Sequence, residues 1–131
     1  MANFAFINSQ NIVIGVNSIN NSDITINNSE NEQLGIDFLT NEIKIKTIYP
    51  NCVLIRQTSY NSNFRNKYAG LGDTWDEINN VFISPKPFED WVLNNFKWVA
   101  PISYPNDGDS YAWENNEWVK LIFWVRFFFN K

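Results

Sequence analysis

Between Asp73 and Val119 the chain repeats one device three times: a tryptophan, a β-prone run, a pair of asparagines and a returning aromatic. The first copy runs from Trp75 through Asn79-Asn80 to Phe82. The second runs from Trp91 through Asn94-Asn95 to Trp98, and the third from Trp113 through Asn115-Asn116 to Trp118. Asparagine tolerates the left-handed backbone that tight hairpin turns need, so each copy reads as two short antiparallel strands. The aromatic pair is seven residues apart in the first two copies and five in the third, a spacing that predicts rings meeting across each hairpin. The joints Pro85-Lys86-Pro87 and Pro101 to Pro105 carry prolines, which lack the N–H a central strand must donate. Three separate hairpins are therefore expected, not one broad sheet. A lone hairpin is marginal in water, so its rings must lean on something. Each ring removes ~150–250 Å² from water when buried.

Upstream, Phe4-Ala5-Phe6-Ile7 and Ile12 to Val16 flank the turn residues Asn8 to Asn11 and predict a hairpin over Asn3–Ile19. The polar stretch from Asn17 to Asn28 has room for one short edge strand at most. Ser29 followed by Glu32 fits a capping box, and Leu34, Phe38, Leu39 and Ile43 follow at helical spacing, which predicts one helix over Ser29–Ile43. Gly35 argues against that helix by about 1 kcal/mol. Ile45, Thr47 and Tyr49 alternate with lysines, and Cys52-Val53-Leu54-Ile55 forms a second apolar run, so Ile45–Tyr60 is expected to be strand. The loop Asn61–Gly72 is expected to be pinned by Phe64 and Tyr68, with Gly70 and Gly72 at positive φ. The fold class is therefore α+β, mainly β. An antiparallel N-terminal sheet with one helix would occupy 1–72, three tryptophan hairpins joined by proline-rich loops 73–120, and an apolar tail 121–131.

Composition narrows the function classes. In 131 residues there is no histidine, which removes histidine triads and histidine metal ligands. Cys52 stands alone and reads as a small buried hydrophobe. Fourteen acidic against ten basic residues give a net charge of −4 with no basic cluster, the wrong balance for a nucleic-acid binder. Carboxylates gather at Asp73/Asp76/Glu77, Glu89/Asp90 and Asp107/Asp109 in turn-like sequence, where solvated hydrogen-bonding roles are the default. Asn106 to Ser110 lacks the spaced ligands of a calcium loop, and Gly70-Leu71-Gly72 is too short to cradle a phosphate. No catalytic, cofactor-binding or metal site is expected, nor a signal peptide or membrane span. The 22 asparagines fit AT-rich coding as well as turn chemistry, so the sequons at Asn20 and Asn27 carry little weight.

Two resemblances add to this reading. The second copy, Trp91 to Trp98, resembles the hairpin of choline-binding repeats, though Asp90 stands where those repeats have glycine and Val99 follows Trp98. It implies a carbohydrate- or choline-like ligand on exposed tryptophans. A wider likeness runs through Phe4–Val16, Gln57 to Asn61, Phe64 to Gly72 and Ile83 to Phe88. It continues through Trp91-Val92-Leu93, Trp98 to Pro101, Tyr104 to Gly108 and Tyr111 to Val119. With these segments the chain is similar to a group of small proteins encoded by tailed bacteriophages of marine bacteria, cyanophages included. The likeness implies a non-enzymatic virion or virion-assembly protein, located in the particle or in the host cytoplasm during assembly.

The tail, Leu121 to Lys131, departs from that group. Eleven residues are too few to span a bilayer as a helix. As a strand, Leu121, Phe123, Val125, Phe127 and Phe129 would share one face and Ile122, Trp124 and Phe128 the other. Such a segment needs cover on both sides, either by completing the protein's own core or by burial against another subunit, and self-association or docking on a virion partner is the expectation. The candidate interaction residues are thus Trp75, Trp91, Trp98, Trp113, Trp118, Phe123, Trp124, Phe127 and Phe129.

Overall fold

Ala2–Ile7 (β1) is buried along its whole length and forms the middle of a three-stranded antiparallel sheet. Val13–Ile19 (β2) returns along one side, and Leu54–Thr58 (β5) pairs along the other, with Asn3 opposite Thr58 and Ile7 opposite Leu54. A strand apolar on both faces needs a layer on each, and β1 has both. Ala2, Phe4 and Phe6 face a core with Ile19, Ile24, Leu39, Ile45, Cys52 and Ile55. Ala5 and Ile7 face a second core with Val13, Ala69, Trp75 and Phe82. The computed structural model describes residues 1–121 and divides into two compact units, Met1–Pro85 and Lys86–Lys131.

Helical elements cover the first face. Glu32–Asp37 (α1) begins at Asn31, whose side chain accepts from the Leu34 N–H at 3.2 Å. This corrects the expected start at Ser29. Glu32 is drawn to Arg65 and the Gln57 N–H rather than back to a cap. Ser29–Glu30 (β4) instead pairs with Thr25–Ile26 (β3) across Asn27 and Asn28, both at positive φ. That is a fourth Asn-Asn hairpin, and its lack of aromatics hid it. After α1 the chain makes a π-helical turn over Phe38–Glu42 and reverses at Lys44 (φ 56°).

Ile45–Ile48 (α2) is helical, not the strand its alternation predicted. Thr47 ties the turn by donating its hydroxyl to the Lys44 carbonyl, and Ile45 and Tyr49, one helical turn apart, reach the same core. Two glycines permit this packing. A Cβ on Gly35 would stand 2.2 Å from the Phe4 ring, and one on Gly15 2.7 Å from Tyr49. The residue that counted against the helix is what lets α1 lie on β1.

Thr74–Asp76 (β6) and Val81–Ile83 (β7) form the first tryptophan hairpin, which folds into the N-terminal unit. In the C-terminal unit, Val92–Asn94 (β8) pairs with Lys97–Val99 (β9), and Tyr111–Glu114 (β10) with Glu117–Lys120 (β11). All three tryptophan hairpins are separate two-stranded sheets, as the prolines required. Their turns differ. In the third, Asn115 and Asn116 are both at positive φ, the conformation of a two-residue primed turn. In the second the pair is Asn95 and Phe96, one residue later than the Asn94-Asn95 expected. The first closes with a longer loop, in which Asp76 accepts from the backbone and side chain of Asn79 before Asn80 turns at φ 59°.

Candidate functional site

Strand register decides which rings meet. Trp75 stands opposite Phe82 with ring centroids 4.7 Å apart, and Trp113 opposite Trp118 at 5.0 Å. In the second hairpin the shifted turn puts Leu93, not Trp91, opposite Trp98. Trp91 lies before β8 and is free to serve another purpose.

Trp75 is 1% exposed, sealed beneath β6 and β7 in the second core of the N-terminal unit. The guanidinium groups of Arg65 and Arg56 lie 5.2 and 6.0 Å from its ring, and its indole N–H donates to Glu77. Arg65 also closes the open edge of the sheet. The Gln57 N–H of edge strand β5 donates to Glu32 Oε2 at 2.6 Å, and the Gln57 carbonyl accepts from Arg65 Nη1 at 2.8 Å. Arg65 and Glu32 are themselves paired, and Arg56 covers the Ile55 carbonyl. On the other side, 72–75 lies along the start of β2, with Val13 donating to the Asp73 carbonyl and Trp75 to that of Asn11. The β5 edge at Gln57 and the start of β2 are thus blocked against addition of a strand.

In the C-terminal unit Trp91 is the hub of an aromatic cluster. Its ring lies 5.2 Å from Phe88, 5.9 Å from Trp113 and 6.0 Å from Trp118. Tyr104 stands 4.9 Å from Trp118 and 5.8 Å from Tyr111. The three tryptophans of the cluster meet at interplanar angles of 65–86°, edge to face, the arrangement the ring quadrupole favours. Two indole N–H groups are bonded inside the unit, Trp113 to Asp90 at 3.1 Å and Trp118 to the Ile102 carbonyl at 2.7 Å. The buried Trp91 N–H has no partner. Trp98 lies apart from this cluster, with the Lys86 ammonium 5.7 Å from its ring.

The sequence candidates therefore divide. Trp91, Trp113 and Trp118 come together, Trp75 belongs to a different core, and Trp98 sits on β9. Among the described residues no coplanar row of exposed rings forms. Phe123, Trp124, Phe127 and Phe129 lie outside the described residues.

Missed by the tryptophan pattern is the surface of β8 and β9. No residue of either strand is buried. Val92 and Val99, 54% and 36% exposed, stand opposite each other on one face, and Leu93 is exposed on the other. Ile102, Tyr104 and Leu121 add exposed apolar surface to the same unit.

The carboxylate clusters are structural in their contacts. Asp73 is buried and accepts from Lys67 at 2.5 Å and from the Gly70 N–H at 2.8 Å. A hydrogen bond from Arg56, then one from Trp75, holds the Glu77 carboxyl below its ordinary value. Tyr111 donates to Asp107, which pushes the phenol up to about 12 and the carboxyl down. Cys52 is buried with its thiol on the Leu54 carbonyl. Among the described residues no three His, Cys, Asp or Glu side chains are grouped to hold a metal ion, and no helix is long and apolar enough to cross a membrane. Comparison of the chain with protein-family models, curated proteins and solved structures gives no match.

Proposed function

We propose that this chain is a non-enzymatic structural or assembly protein, most simply of a tailed-phage virion, and that its C-terminal unit is the contact surface. The observation that carries the reading is the β8–β9 hairpin. Two-stranded hairpins are marginal in water, and this one has an apolar cross-strand pair, Val92 and Val99, exposed to 54% and 36%. A scatter of single exposed apolar side chains is normal; a whole hairpin without a buried residue marks an interaction surface. The apolar sequence of 121–131 suits the same role. The indoles support the reading in the opposite sense, because Trp75, Trp91, Trp113 and Trp118 are engaged in packing within the chain and are poorly placed as a ligand platform.

The partner is a second copy or another virion protein, which places the chain in the particle or in the host cytoplasm during assembly. Light scattering of the full chain, of Val92→Asp and of a chain lacking 121–131 tests the proposal. The full chain is expected to self-associate, and both variants to be folded and monomeric. If the full chain is monomeric and the source particle lacks it by mass spectrometry, the proposal fails. If the truncated chain is unfolded, the tail is part of the protein's own core and not a contact.

A further inference from the structure

Three of the four buried polar side chains of the described residues, Asn3, Thr58 and Ser59, line one cavity of about 220 Å³ where β1 and β5 end. Buried polar groups are costly unless bonded, so their gathering at one place calls for an explanation. Each has its acceptor filled. Asn3 Oδ1 accepts from the Ser18 hydroxyl at 2.5 Å, Thr58 Oγ1 from the Ala69 N–H at 2.8 Å, and Ser59 Oγ from the Asn63 N–H at 3.0 Å. None of the three side chains donates to another described residue. The lining thus includes three side chains with hydrogens still to donate, the Asn3 amide and two hydroxyls, each held in place by the bond it accepts.

Aromatic rings make up another part of the lining. Phe64 and Tyr60 line the cavity, 40% and 71% exposed, and the Tyr60 ring is braced edge-on by Tyr68 at 5.3 Å. Glu30 and Met1 are also in the lining, a carboxylate and an α-ammonium of opposite charge, and no lysine or arginine is. The two opposite charges leave no net pull on an ion, so a ligand for such a site is neutral and offers oxygen acceptors to the buried polar groups and a C–H face to the aromatic rings. Pockets for drug-sized ligands run roughly 300–1,000 Å³, so the occupant here is smaller. We propose that this cavity binds a single neutral sugar residue, its hydroxyl and ring oxygens on Asn3, Thr58 and Ser59 and its apolar face against Phe64 and Tyr60. The site uses the N-terminal unit alone and stands or falls independently of the contact surface proposed above.

The test is titration of the ¹⁵N-labelled full chain with the methyl glycosides of glucose, galactose and N-acetylglucosamine, up to about 100 mM, with choline chloride as the cationic control. The expected result is saturable shifts of the Asn3 side-chain amide and the Ser59 and Asn63 N–H signals by at least one glycoside. The Kd is expected on the order of 1 mM, in keeping with a ligand of about a dozen heavy atoms. Tyr60→Ala and Phe64→Ala, each with unchanged spectral dispersion, should weaken binding about tenfold. Glu30→Gln should leave it within about threefold, because the ligand is neutral. Absence of any saturable shift overturns the proposal. So does a response to choline only, a response confined to the indoles of the C-terminal unit, or unaltered binding by both aromatic variants.

Discussion

In the N-terminal unit, Trp75 and Phe82 lie under a sheet whose central strand is buried on both faces, and the side chains of Glu32 and Arg65 at β5 and the segment 72–75 at the start of β2 cover part of its edges. In the C-terminal unit, Trp91, Trp113 and Trp118 pack against one another around turns and loops, and hairpin β8–β9 has no buried residue at all. The same sequence device, a tryptophan ahead of an asparagine turn, thus serves two ends. Where a sheet is available, the ring completes a layered core. Where none is, the rings make a small core of their own and leave aliphatic side chains in water. The difference teaches that the surroundings, and not the motif, decide whether an aromatic hairpin is interior or surface.

The contrast is broken most severely by Phe4→Ala. Its ring is fully buried and contacts α1 at Gly35, so truncation leaves a cavity with little freedom to collapse, at a cost of about 3–5 kcal/mol. Urea unfolding followed by the β1 amide signals should show the loss. A shift below about 1 kcal/mol would mean that the layered core is not what holds this unit.

Next is the ion pair on the β5 edge. Burial pushes the Glu32 carboxyl up, but the hydrogen bond from Arg65, that from the Gln57 N–H and the two arginine charges outweigh it and hold it below 4.5. With the folded value below the unfolded one, the stabilisation is present above pH 4.5 and is lost as pH falls through the folded value. Glu32→Gln should cost about 1–3 kcal/mol at neutral pH and flatten the acid limb of the stability curve. It should also raise thioflavin-positive association, since the Gln57 edge opens. An unchanged acid limb would remove Glu32 from this role.

A smaller effect sharpens the comparison inside the C-terminal cluster. Trp113→Phe loses both ring area and the bond to Asp90 and should cost about 1–2 kcal/mol. Trp91→Phe loses ring area too, but removes a buried N–H that has no partner, so the two changes nearly offset. Thermal melts of the two variants should differ in that order, and the reverse order would contradict the hub geometry. Smallest is Phe96→Gly. Phe96 sits at φ 62°, and an Asn95-Gly turn relieves that strain but gives up the contacts of a half-buried ring, so the two effects should offset and leave the melting point within an amount worth about 1 kcal/mol.

Much of this fold could be read from the chain, because its strongest signals are local. Phe4 to Ile7 needed cover on both faces, prolines separated the hairpins, and Cys52 was an apolar residue among others. What escaped depended on distant partners. Glu32 left its capping box for Arg65, thirty-three positions along the chain. Gly35 favoured its helix because Phe4 lies across it. Ile45 to Tyr49 has a strand's alternation and a helix's i, i+4 spacing at once, and only the core selected between them. Equal spacing of Trp75/Phe82 and Trp91/Trp98 hid different turns, so one pair meets and the other does not.

The central claim is that the tryptophans are packing elements of the chain, and their indole ¹H–¹⁵N signals report on it most directly. Spectra recorded with a panel of glycans and quaternary amines should leave the indole signals of Trp75, Trp91, Trp113 and Trp118 in place, with slow hydrogen exchange at Trp75 and Trp91. Saturable shifts of the Trp91, Trp113 and Trp118 indoles on adding any one of those ligands would contradict it, and would make the cluster a binding platform instead.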